Sequence, residues 1–105
     1  MKITLIGSSQ YKDKFFAVKE RLESQGHKVS IPAFDSHKDL DDLGVCEYNR
    51  ALIEWADEVH IIWDQRSTGT VFDFGMCFMS RKPIVIEYME EKTFRGVMEK
   101  YAKNN

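Results

Sequence analysis

The 105-residue chain is long enough for one compact domain with a single core and too short for two, so residues 1–105 are read as one unit. Hydrophobic residues make up 43% and charged residues 30%, with no long polar tract, which excludes a disordered chain. Fifteen Lys and Arg against seventeen Asp and Glu leave a formal charge of -2 without any basic cluster, so a nucleic-acid polymer is not an expected partner.

The opening Met1-Lys2-Ile3-Thr4-Leu5-Ile6 predicts a short apolar strand that stops at Gly7-Ser8-Ser9. It lacks the length of a signal peptide's hydrophobic region or of a membrane span, so the expected location is the cytoplasm, with no membrane partner. Beyond Asp13, the residues Phe15, Phe16, Val18 and Leu22 predict a helix with one buried stripe, stopped by Gly26. Residues 27–32 predict a second strand closed by Pro32. Residues 33–44 are rich in Asp and have no sustained period, which predicts a long surface loop of the kind that borders sites.

Val45, Tyr48, Leu52, Trp55 and Ala56 then recur at steps of three and four and define the buried face of a second helix, with Asn49 beside it. Residues 58–63 predict a third strand, ending in Asp64 and a polar loop over 65–70. Phe72, Met76 and Met79 mark a third helix that breaks near Lys82-Pro83. Ile84-Val85-Ile86 predicts a fourth strand and residues 93–103 a last helix. Cys46 and Cys77 fall inside helical segments, neither with a second Cys or His at metal-like spacing. Both read as reduced core or near-core thiols, and neither metal nor cofactor is expected.

Strands separated by helical segments need crossover connections. The expected fold is therefore α/β, a flavodoxin-like (Rossmann-like) three-layer sandwich with a mostly parallel sheet of four to five strands. Ligands of such sheets lie outside the carboxyl ends of the strands, where strand order reverses, and the loops at 7–11, 32–44 and 64–70 leave from that edge.

Two of those loops share a design. Gly7-Ser8-Ser9-Gln10 and Ser67-Thr68-Gly69-Thr70 each join a strand to a helix with hydroxyls beside a glycine. Ser8 or Ser9 can simply cap the first helix, or the two loops together can clamp one anionic group through N–H groups and hydroxyls. Arg66 can assist. Asp64 can accept from a ligand hydroxyl or start the turn.

Asp73 follows Thr70 by three residues, and Thr-x-x-Asp reads as a capping box with a shortened acid. The same position near a helix N-terminus would hold the carboxylate ionised and facing the crevice, as a nucleophile or a stabiliser of an oxocarbenium-like centre in glycosidic cleavage. His60, mid-strand, reads as a satisfied core or near-core histidine. Trp63 and Tyr11 are near enough to the edge to stack a base.

The stretches "IGSS", "NRALIEWADEVHIIW" and "STGTVFDFGMCFMSRKPIVI" resemble the nucleoside 2-deoxyribosyltransferases and the related 2'-deoxynucleoside 5'-monophosphate N-glycosidases over almost the whole chain. The resemblance implies cleavage or transfer at the N-glycosidic bond of a nucleoside or nucleoside 5'-monophosphate. Ser8 and its neighbours would contact a 5'-phosphate, Ser67 and Gly69 would close on it, and Asp73 would occupy the place of the family's glutamate nucleophile. Gln10 and Tyr11 lie where further phosphate or sugar contacts are expected. A homodimer or larger homo-oligomer is implied as well.

Two departures bear on activity. Asp73 is one methylene shorter than glutamate, retracting the reacting oxygen by about 1.5 Å. Asn49 stands where the family tends to have an aspartate, and an amide can hydrogen-bond a hydroxyl but cannot serve as a general acid or base. The alternative expectation is a catalytically weakened or inactive nucleotide-binding protein of the same fold.

Overall fold

The computed structural model describes residues 1–32, 39–91 and 94–103. Among these residues the strands β1 (Lys2–Gly7), β2 (Lys28–Ser30), β3 (Glu58–Trp63) and β4 (Ile84–Met89) alternate with the helices α1 (Lys12–Ser24), α2 (Asp42–Trp55), α3 (Thr68–Met79) and α4 (Phe94–Lys103). The strands form one parallel sheet in the order β2-β1-β3-β4. Ile3, Leu5 and Ile62 meet Phe15 and Leu22 of α1 on one face, while Ile6, Val59 and Ile61 meet Ile53 of α2 and Cys77 of α3 on the other. This is the flavodoxin-like three-layer arrangement, built on four strands.

β1 and β3 are central because their apolar runs are continuous, and both are buried at four successive positions. The polar residues within them are satisfied. Thr4 Oγ1 donates to the Leu52 carbonyl at 2.7 Å. His60 sits between Glu58 and Glu87, 2.6 and 2.7 Å from its two ring nitrogens, which bears out its reading as a satisfied near-core histidine. Glu87 reaches it because β4 carries an irregularity: Ile61 pairs with Ile86 and Ile62 with Tyr88, leaving Glu87 as the extra residue. The same carboxylate accepts from Arg21 of α1 at 2.6 Å.

α1 ends as its glycine predicts. Gly26, at φ +92, donates to the Glu23 carbonyl and His27 to that of Leu22, which closes the last turn. α2 begins earlier than expected, inside the stretch read as loop, because the Asp41 side chain accepts from the Gly44 N–H at 2.7 Å and caps it. Residues 33–38 of that expected loop lie outside the described residues. β4 runs on to Met89 because it stays paired with β3 as far as Trp63. Among the described residues no helix is long and apolar enough to cross a membrane.

Candidate active site

Strand order reverses between β1 and β3, and their carboxyl ends lie side by side, Gly7 opposite Ile62. Gly7 has φ +150, and a Cβ there would stand 1.7 Å from the Ile62 carbonyl oxygen, so no other residue fits. The turn it permits lets Ser8 donate its N–H to that carbonyl at 2.9 Å. The buried Ser8 Oγ then lies 2.7 Å from Ser67 Oγ and accepts from the Asp64 N–H at 2.9 Å. Neither serine hydroxyl caps the helical segment that follows it. The capping alternative for Ser8 is thus corrected: the Ser8 and Ser67 hydroxyls are spent tying β1 and β3 together.

Asp64 is the hub of this tie. Its Oδ1 accepts from the N–H groups of Arg66 (2.8 Å) and Ser67 (2.9 Å) and from Ser67 Oγ (3.1 Å), while Oδ2 accepts from Gln10 Nε2 (3.0 Å). Burial alone would push this carboxyl up, but the donors outweigh it and hold it at about 2. Ser67 has one hydroxyl proton, given to Asp64, so its oxygen accepts from Ser8 and from Thr70 Oγ1 at 3.1 Å. The Ser8, Ser67 and Thr70 protons are all committed internally. What these hydroxyls retain toward a ligand is acceptor capacity, and the donors on offer at the opening are the first N–H groups of α3, at Thr68 and Gly69. A Cβ on Gly69 would meet nothing within 4 Å, so a ligand can approach the backbone there.

Ser67, Thr70, Asp73 and Cys77 fall on one face of α3, at steps of three and four. The helix starts at Thr68 with Ser67 in the N-cap position and has no acid in its first turn, so Asp73 stands in the second turn. The capping-box reading of Thr70 and Asp73 is thereby corrected, and Asp73 stands beyond the first turn, where the dipole acts most strongly. Burial raises its carboxyl to about 6, and the neighbouring amide of Asn49 of α2 pulls it down only in part. The amide oxygen of Asn49 is buried and lacks a hydrogen-bond partner. Asn49 thus lies beside Asp73 with an acceptor unused. Burial, and then the Asp73 charge, push the Cys77 thiol up to about 11, leaving it inert.

No protein-family model matches the chain, and no curated protein matches its sequence.

The structure therefore brings Gly7, Ser8, Gln10, Asp64 and Ser67 into one bonded group with Gly69 at its opening, and sets Asp73 and Asn49 as a pair one turn deeper along α3. Ser9 is exposed in a single 3₁₀ turn, Ser9–Tyr11. The two aromatic candidates are already engaged. Tyr11 donates its hydroxyl to Glu90 at 2.6 Å and packs edge-on against Tyr88, and Trp63 Nε1 donates to the Ser67 carbonyl at 3.1 Å. Thr70, buried and bonded to Ser67, is the member that sequence reasoning assigned to helix initiation instead. Its signal was the spacing 67, 70, 73, 77, which places hydroxyls and carboxyl on one helix face.

Proposed function

We propose that the chain is a cytoplasmic protein, homodimeric or larger, that binds a nucleoside 5'-monophosphate at the β1–β3 edge and cleaves or transfers its N-glycosidic bond through Asp73. The observation that carries this reading is the alignment of Ser67, Thr70 and Asp73 on one face of α3, with Ser8 of the neighbouring strand bonded to Ser67 at 2.7 Å. A phosphate would take the open N–H groups of Thr68 and Gly69 beside the positive end of α3, since Asp64 already occupies those of Arg66 and Ser67. Arg66, exposed on the same loop, adds positive charge. The unpaired Asn49 oxygen is suited to accept from a sugar hydroxyl, which would orient the anomeric carbon toward Asp73.

The chemistry asks for a carboxyl that is ionised at neutral pH yet basic enough to form a bond. A group held at about 6 meets both conditions. The Asp73 oxygen attacks the anomeric carbon, the C–N bond breaks with its electron pair leaving on the base, and the base takes up a proton. Water or a second base then releases the sugar from the aspartyl ester.

Chromatography after incubation with ribo- and deoxyribonucleotides tests this. Free base is expected, its rate rising as pH increases through about 6 and lost in Asp73→Ala, with binding retained by calorimetry. Release unchanged in Asp73→Ala would remove Asp73 from the mechanism. The short side chain of Asp73 and the amide of Asn49 favour a second reading, a nucleotide-binding protein without turnover, and binding without release across the panel would establish it. No binding at all would overturn both. Gly69→Ala separates the ligand from the scaffold: its methyl meets no protein atom within 4 Å, so thermal stability should hold while nucleotide affinity falls about tenfold or more.

A further inference from the structure

Beside Thr70, on the side of α3 away from α2, lies an apolar groove of about 360 Å³. Ile61, Ile84, Ile86 and Met89 form its floor, and Val71 and Phe74 its wall. With only apolar side chains among these six, it offers a nucleotide no hydrogen bonds and is suited to an apolar helix face. The chain carries such a face. Phe94, Val97 and Met98 of α4 stand at i, i+3 and i+4, with Phe94 83% and Met98 61% exposed.

Most of α4 is exposed on its own chain, although Gly96 and Val97 line a small cavity with Asp64 and Arg66. On its own chain α4 is tied at the carboxyl edge, where Lys100 pairs with Glu90 at 3.7 Å, and not in the groove.

We propose that two copies of this chain form a two-fold dimer in which α4 of each fills the groove between α3 and β4 of the other. Groove and helix are complementary and belong to one sequence, which is the condition for a self-complementary interface. The area suffices. With each aromatic side chain counted at roughly 150–250 Å², the exposed parts of Phe74, Phe78 and Phe94 alone supply about 400 Å² per copy. Val71, Ile84, Ile86, Met89, Val97 and Met98 extend this toward the ~800 Å² per partner of a standard interface. The inference rests on the oligomer proposed above and not on the glycosidic chemistry, and its test reads mass instead of turnover.

Light scattering on the full chain is expected to give about twice the 12.3 kDa of one copy. Phe94→Asp with Met98→Asp, which keeps the groove but spoils the helix, should run as a monomer with unchanged circular dichroism. Ile86→Asp, which spoils the groove but keeps the helix, should do the same. Mixed at high concentration, the two variants should associate, because one intact groove then meets one intact helix. A monomeric wild-type chain, a dimer that survives either variant, or two folded monomers that fail to associate when mixed would each overturn the exchange.

Discussion

Asp64 and Asp73 stand on either side of the start of α3 and are equally little exposed to solvent, 8% each, yet one carboxyl is held at about 2 and the other at about 6. Burial acts in the same direction on both. It acts more strongly on Asp73, which lies deeper among protein atoms, and the donors widen the gap: Asp64 collects two backbone N–H groups, a hydroxyl and the Gln10 amide, while Asp73 has the amide of Asn49 beside it. The fold thus spends its donors on the carboxylate that fastens the loops and leaves the neighbouring one able to change its protonation near neutral pH. Low solvent exposure alone marks neither a structural nor a reactive acid.

The largest expected effect comes from breaking the first half of that contrast. Asp64→Ala removes the acceptor shared by two backbone N–H groups and a hydroxyl, at a cost of about 2–3 kcal/mol in urea unfolding at pH 7. The wild-type contribution has a definite sign with pH. Because folding depresses this carboxyl below its ordinary 3.8, the stabilisation is complete above that value and disappears as pH falls from 3.8 toward about 2. A variant as stable as the wild type at pH 7 would show that the loops are held by something else.

Asp73 should behave in the opposite sense and more weakly. Its folded carboxyl is raised, so the native state binds the proton more tightly and stability falls as pH rises from 3.8 to about 6, then levels off. Asp73→Asn removes that decline. The expected gain at pH 7 is about 1–2 kcal/mol, after discounting the shift for solvent screening, together with loss of base release. A carbon-detected titration that placed Asp73 near 4 would erase the contrast between the two acids.

The fold was legible because β1 and β3 carry unbroken apolar runs and α1 and α2 carry one stripe each, signals that a sheet covered on both faces requires. The start of α3 was not. Ser67 and Thr70 are both credible caps, and the choice between them is settled by Asp64, which reaches forward to the N–H groups of Arg66 and Ser67. The start of α2 was hidden for a related reason, since its capping Asp41 lies in a run of acids that reads as loop. The candidate site was legible residue by residue, Asp64, Ser67 and Asp73 included, but their division of labour was not. Which carboxylate is saturated with donors depends on contacts between β1 and β3 loops more than fifty residues apart, and no local pattern encodes them.

The finest test removes a single donor. Gln10 is exposed, so in Gln10→Ala water can replace its N–H at Asp64 Oδ2, and the loss of stability should stay near 0.5 kcal/mol. The titration is the more informative readout. Asp64 should move up only slightly and remain well below its ordinary value, because Arg66 and Ser67 still donate to Oδ1. A rise into the range of Asp73 would mean that the side chain from the β1 loop, and not the start of α3, distinguishes the two carboxyls, and the position of helix α3 would no longer account for which of them is free to react.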